Sequence, residues 1–182
     1  ERGFSFAKEG PLDMRMDPTQ ELSAEIVVNH WNEKHLVEIL EQYGEEKPGF
    51  ARLIARAIVH GRPWQSTKQL GEALGKYGRG GKTHPATRTF QAIRIAVNDE
   101  LGEIERTLPL LPRLLKPGGR VAMITFHSLE DRLVKDYLKE VSGYGEESEL
   151  TVLTKKPVVA EKLELFINPR ARSAKLRAAV KL

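Results

Sequence analysis

Cysteine is absent from the 182 residues, which excludes disulfides, thiolate-bound zinc and thiol nucleophiles and suits a reducing compartment. No Walker loop, dinucleotide glycine fingerprint or metal-ligand spacing occurs in the chain. These residues therefore encode no nucleotide-cofactor cradle, and no metal centre is expected. No apolar run is long enough to cross a bilayer, and no secretory signal pattern is present, so no membrane association is expected. The first residue is Glu1 rather than Met; the expectation is a processed amino terminus or a longer parent chain. No internal repeat is visible.

Positive charge is in modest excess, +4 at neutral pH, and its placement says more than its sum. Residues 168–182 hold Arg170, Arg172, Lys175, Arg177 and Lys181 without one acidic residue. Such clustering is an electrostatic footprint of phosphate binding. From composition alone, a solvated basic edge strand accounts for it equally well. A hydrophobic fraction of 40% is enough to build a core.

Residues 1–18 read as loop, punctuated by Gly3, Gly10, Pro11 and Pro18. Four short helices follow. The first covers residues 23–31, the second is capped by Asn32, the third opens at Pro48, and the fourth is capped by Ser66 or Thr67. Gly78-Arg-Gly-Gly-Lys82 then reads as a flexible cationic loop. Beyond it Phe90, Ile93, Val97, Leu101, Ile104, Leu108, Leu111 and Leu115 recur every three or four residues. That spacing predicts one long amphipathic helix, kinked or broken by Pro109 and Pro112.

A Pro117-Gly-Gly turn launches the apolar run Val121 to Thr125, which stops at Phe126-His127-Ser128 before a helix to about Val141. Ser128, with Asp131 three residues on, reads as the cap of that helix. A glycine-rich break, a strand over residues 150–154, a short helix over 160–166 and a period-two strand to Leu182 complete the chain. The result is α/β, the second half of a doubly wound sheet. Ligands sit outside the carboxyl ends of the strands in such sheets, which is where His127 falls. A general base, a substrate-binding group and a structural histidine all remain open for it. Ser128 lacks the Gly-x-Ser-x-Gly elbow of a hydrolase nucleophile and reads as a cap. In Gly10-Pro-Leu-Asp-Met-Arg-Met-Asp17, Asp13 and Arg15 read either as functional charges on a rigid loop or as an internal pair. His84 and Arg88, at the start of a helix, form a candidate phosphate site. Arg170 and Arg172, after the Asn168-Pro turn, suit a phosphate or a carboxylate.

Seven segments in order resemble one family. They are Arg2-Gly-Phe-Ser-Phe6, Gly10-Pro-Leu-Asp-Met-Arg-Met-Asp17, Tyr43-Gly-Glu-Glu46, His84-Pro-Ala-Thr-Arg-Thr-Phe-Gln-Ala92, Val97-Asn-Asp-Glu-Leu101, Phe126-His-Ser-Leu-Glu-Asp-Arg132 and Asn168-Pro-Arg-Ala-Arg-Ser173. The chain resembles the bacterial and organellar methyltransferases of the MraW type, which modify N4 of a cytosine in small-subunit ribosomal RNA.

The resemblance implies the C-terminal half of a Rossmann-like methyltransferase sheet plus an inserted all-helical domain. Residues 1–19 would join the two, 20–82 would be the substrate-recognising insertion, and 83–182 would return to the catalytic fold. It implies S-adenosylmethionine as cofactor, with its main binding motif upstream of Glu1, and RNA of the assembling small ribosomal subunit as partner. By motif position, Asp13, His127 and Phe126 are the catalytic candidates. Arg15, His84, Arg88, Asn168, Arg170 and Arg172 are the substrate-binding ones. The expected location is the cytoplasm, or an organellar matrix in a eukaryote. The alternative is a non-catalytic RNA-binding or ribosome-assembly module derived from the enzyme. Half a sheet exposes an apolar edge, so either a homodimer or a missing N-terminal segment is expected to cover it.

Overall fold

The computed structural model describes residues 2–77, 84–142 and 148–182. The cationic glycine loop expected at 78–82, and the glycine-rich break at 143–147, lie outside the described residues. The chain divides into two compact units, Glu1–Glu100 and Leu101–Leu182.

The first unit is helical: α1 (Ala24–His30), α2 (Glu33–Gln42), α3 (Pro48–His60), α4 (Thr67–Gly75) and α5 (Ala86–Asn98). Local chemistry starts each of the first four. Ser23, Asn32 and Ser66 accept hydrogen bonds from the amides of Ile26, His35 and Gln69, while Pro48 takes the first position of α3. Val27, Leu36, Leu40, Ile54, Ile58, Leu70, Leu74 and Ile93 interlock in one core. Each such side chain contributes about 1.5–3 kcal/mol by leaving water. Residues 2–23 contain no helix or strand, yet Leu12 and Met14 plug into this core. The unit boundary falls later than the expected one at 82–83, because α5 packs on α1, α2 and α4.

The periodic stretch from Phe90 to Leu115 is not one helix. The chain breaks at Asp99, which takes a left-handed backbone (φ 46) and ends α5. Helix α6 (Glu100–Thr107), a 3₁₀ turn over Leu108–Leu110 and α7 (Leu111–Leu114) follow. Pro109 and Pro112 lie in that later turn and helix, so the main break precedes them. Periodicity was preserved because each piece separately presents Ile93, Val97, Ile104 and Leu108 to a core.

The second unit continues with β1 (Arg120–Thr125), α8 (Ser128–Val141), β2 (Leu150–Val152), β3 (Val158–Val159), α9 (Lys162–Ile167), a 3₁₀ turn over Pro169–Ser173 and β4 (Lys175–Lys181). The sheet order is β1-β4-β2, with β3 also against β4, and every ladder is antiparallel. The architecture is mixed α/β, as expected for part of a methyltransferase-like sheet. Strands β1 and β2 run parallel to each other, joined by α8, and β4 slots between them in the opposite sense. Val134 and Leu138 of α8 pack with Leu108, Leu150 and Ala179 on one face of the sheet. On the other face Ile124 is 58% exposed and Val158 is 55% exposed. Among the described residues no strand pairs with the second edge of β1.

Two expectations for this unit are corrected. Helix α8 is capped by His127, not Ser128: the His127 ring accepts the Glu130 amide, and the Glu130 carboxylate accepts the Phe126 and His127 amides. Glu130 thus fills the third-position role expected of Asp131. Strand β4 is central rather than a solvated basic edge, and its basic face points inward. Arg177 is buried and grips Asp131 with both nitrogens, at 2.7 and 3.2 Å, while Lys175 adds a third bond at 3.1 Å. Period two assigns residues to faces; it does not say which face meets a helix, and a buried carboxylate on α8 reversed the usual choice.

Arg177, and then Lys175, hold the Asp131 carboxyl below its ordinary range against the opposing effect of burial. A carboxyl whose pKa is lower folded than unfolded stabilises the fold above its unfolded value of about 3.9, and this is lost as pH falls through the folded value. Denaturant midpoints followed by circular dichroism should therefore drop as pH falls below about 4. Asp131→Asn should cost about 3–5 kcal/mol at neutral pH, by stranding Arg177, and should flatten that acid limb.

Candidate functional site

The first candidate group sits on the loop before α1. Met14 has a left-handed backbone (φ 57) although it is not glycine, and its side chain is 1% exposed. Such a conformation costs about 1–3 kcal/mol and persists only where its surroundings enforce it. Here the Met14 amide donates to the Arg2 carbonyl at 2.8 Å. The Asn98 amide group, at the end of α5, donates to the Met14 carbonyl at 2.8 Å and accepts the Met16 amide at 2.7 Å. The loop is thereby held rigidly with Asp13 and Arg15 on either side of its anchor.

Arg15 is committed within this loop. Its Nε donates to Asp13 Oδ1 at 2.6 Å, and its Nη1 donates to the carbonyls of Pro18 and Gln20 at 3.0 and 2.8 Å. The Arg15 hydrogen bond holds the Asp13 carboxyl below its usual range, outweighing burial. Asp13 is thus an ionised, partly exposed acceptor with a fixed direction.

His84 and Arg88 lie at the opposite end of α5. The His84 ring stacks on Phe6 at 4.7 Å, and its Nδ1 accepts the Ala86 amide at 3.2 Å. Arg88 donates to the Glu45 carbonyl at 3.3 Å and lies 3.6 Å from the Glu46 carboxylate. At about 1.5 Å rise per residue, Arg88 and Asn98 are roughly 15 Å apart along the helix. The first unit therefore keeps its two predicted groups apart.

In the second unit the opposite holds. Thr125, the last residue of β1, pairs with Lys175, the first of β4. The Pro169–Ser173 turn that feeds β4 thus emerges beside Phe126 and His127, since paired strands lie about 4.8 Å apart. Asn168, Arg170 and Arg172 reach the same end of the sheet as the β1 terminus. Phe126 is 55% exposed, and Arg170 and Arg172 are both exposed. Half-buried His127 contributes through the cap: its Nδ1 lone pair is taken by the Glu130 amide, and its Nε2 lies 3.4 Å from the Glu130 carboxylate. That arrangement makes it a holder of the α8 start, with Phe126 projecting just before it.

Asn98 and the Asp131–Lys175–Arg177 group escaped sequence reading. Asn98 lies inside the Val97–Leu101 motif, yet its partners are more than eighty residues away in the chain, and no local pattern names them. Asn98→Ala should cost about 1–3 kcal/mol through the unpaired loop groups. It should also speed hydrogen exchange at the Met16 amide well above that in the α3 core.

Over residues 1–182 the chain matches the MraW methylase family. It is 53% identical to the ribosomal RNA small subunit methyltransferase H of Synechocystis sp., an alignment covering all of this chain and 58% of that protein. The proteins of the same name from Synechococcus elongatus and Acidobacterium capsulatum are 51% and 52% identical, over 98% and 99% of this chain and 59% and 60% of their own lengths. The chain thus spans well under two thirds of these relatives. With its seven motifs in order on this α/β and helical framework, the chain belongs to the MraW methylase family.

Proposed function

We propose that this chain is the substrate-facing part of an S-adenosylmethionine-dependent enzyme that methylates N4 of a cytosine in small-subunit ribosomal RNA. The observation that carries the reading is the family match along the whole chain, and the names of its relatives support RNA as substrate. The described residues do not by themselves fit the cofactor. The glycine turn at a strand, Gly118–Gly119, lies at the amino end of β1 and binds the end of β4, whereas ligands gather at carboxyl ends. At that carboxyl end, the side chains of His127 and Glu130 already occupy the Phe126, His127 and Glu130 amides at the start of α8.

What these residues supply is orientation. The exocyclic amine of cytosine is a poor nucleophile and must be held in line by hydrogen-bond acceptors. The ionised Asp13 carboxylate accepts an N–H well, but its depressed pKa makes it a weak proton carrier. Phe126 presents an exposed ring against which an unstacked base can lie. His127 and Glu130 fix the backbone from which that ring projects. Arg170 and Arg172, just after Asn168, and separately Arg88, one turn after His84, are the phosphate-binding candidates; Arg15 orients Asp13.

The test is transfer of label from S-adenosylmethionine to small subunits by the full-length gene product, with the labelled nucleoside identified after digestion. N4-methylcytidine supports the reading; label on another nucleoside, or none, overturns it. Asp13→Ala and Phe126→Ala are each expected to lower kcat about 10²-fold, the scale of lost orientation. A second reading, a non-catalytic RNA-binding or assembly module, is favoured by the absence of a cofactor cradle among the described residues. Titration calorimetry of the 182-residue chain with S-adenosylmethionine separates the two: saturable heat counts against the module.

A further inference from the structure

Helix α9 carries an apolar stripe that is exposed among the described residues. Leu163, Phe166 and Ile167 are spaced to share one side of the helix and are 71%, 85% and 74% exposed. Phe166 is the most exposed of the large apolar side chains described. Directly after it the 3₁₀ turn Pro169–Ser173 is pinned by buried Ala171, whose amide donates to the Asn168 carbonyl at 3.0 Å. Pinning Ala171 leaves its neighbours Arg170 and Arg172 in solvent. Among the described residues neither guanidinium has a carboxylate partner. Glu164, two residues before Phe166, is rotated about 200° from it around the helix axis. The same turn enters β4 opposite the end of β1, so this surface shares the sheet end that carries Phe126.

We propose that Phe166 is a base-stacking platform for a single-stranded segment of RNA, with Arg170 and Arg172 engaging the phosphates on either side of the stacked base. This rests on RNA as the substrate class proposed above, and adds to it a second aromatic contact outside the site of the target cytosine. The pairing of an exposed ring with adjacent exposed guanidiniums is what sequence-tolerant single-strand binding requires: any base offers a π face, and the cations follow the backbone. An apolar stripe alone would serve a protein partner equally. The two exposed arginines at its carboxyl end, on a turn that holds them in solvent, favour a polyanion.

The experiment is fluorescence anisotropy of the intact 182-residue chain with a labelled, unstructured RNA of about 12 nucleotides, a length within the usual single-strand site range. Measurements run across a salt series. Phe166→Leu keeps the apolar volume and removes the ring; it should weaken binding about tenfold while leaving the salt dependence unchanged. Phe166→Tyr should stay within about twofold of the parent chain. Replacing Arg170 and Arg172 together by Ala should reduce the slope of log affinity against log salt by about 1.4, two phosphate contacts' worth. Because all three side chains are exposed, thermal melts should match the parent. Binding of the Phe166→Leu chain equal to the parent overturns the proposal, as does absence of RNA binding by the parent. So does a loss of self-association in that variant with RNA affinity intact, which would make a second copy the occupant. Methyl transfer is not read in this assay, so its outcome and that of the proposed activity are separable.

Discussion

One buried ion pair organises the second unit. Asp131 sits in the first turn of α8 and Arg177 in the middle strand, so their contact sets helix against sheet at the end where Phe126 and His127 emerge. A buried carboxylate is tolerated only when paired and fully hydrogen-bonded, and Arg177 and Lys175 between them supply three donors. The pair also determines the orientation of β4. Its basic side, together with Ala179, faces the helix, and Leu176, Ala178 and Val180 face the other side of the sheet. The His127–Glu130 cap, one turn earlier, depends on this placement.

The first unit solves a comparable problem without charge burial. A segment without helix or strand has to present Asp13 and Arg15 in a fixed geometry, and it does so by sinking Leu12 and Met14 into the helical core. The left-handed Met14 backbone is the local cost, and the Asn98 side chain, bonded to the Met14 carbonyl and the Met16 amide, offsets it. In both units, therefore, the candidate chemistry rides on irregular backbone clamped by a single polar side chain from a regular element.

The uncovered parts of the second unit are as informative as its core. Among the described residues, the unpaired edge of β1, exposed Ile124 on one sheet face and the stripe on α9 form surfaces that a self-contained domain avoids. They are in keeping with a chain that spans about three fifths of its relatives' length. The α9 stripe is the surface on which the proposed RNA segment would lie, beside the exposed Arg170 and Arg172.

Local signals in the sequence were enough to determine the helical caps at Ser23, Asn32 and Ser66, the start of α3 at Pro48, the strand ending at Thr125 and the order of the family motifs. Each depends on residues within one or two turns of each other, so the chain itself carries the information. Tertiary structure alone decided that Arg177 faces inward, that the long periodic stretch breaks at Asp99, and that Asp13 and Arg88 stand at opposite ends of α5. Those outcomes turn on partners far away in sequence: a carboxylate across the sheet, an amide at a helix end, a core shared by separate elements. Periodicity assigns residues to faces, but which face is buried is settled only when the elements meet.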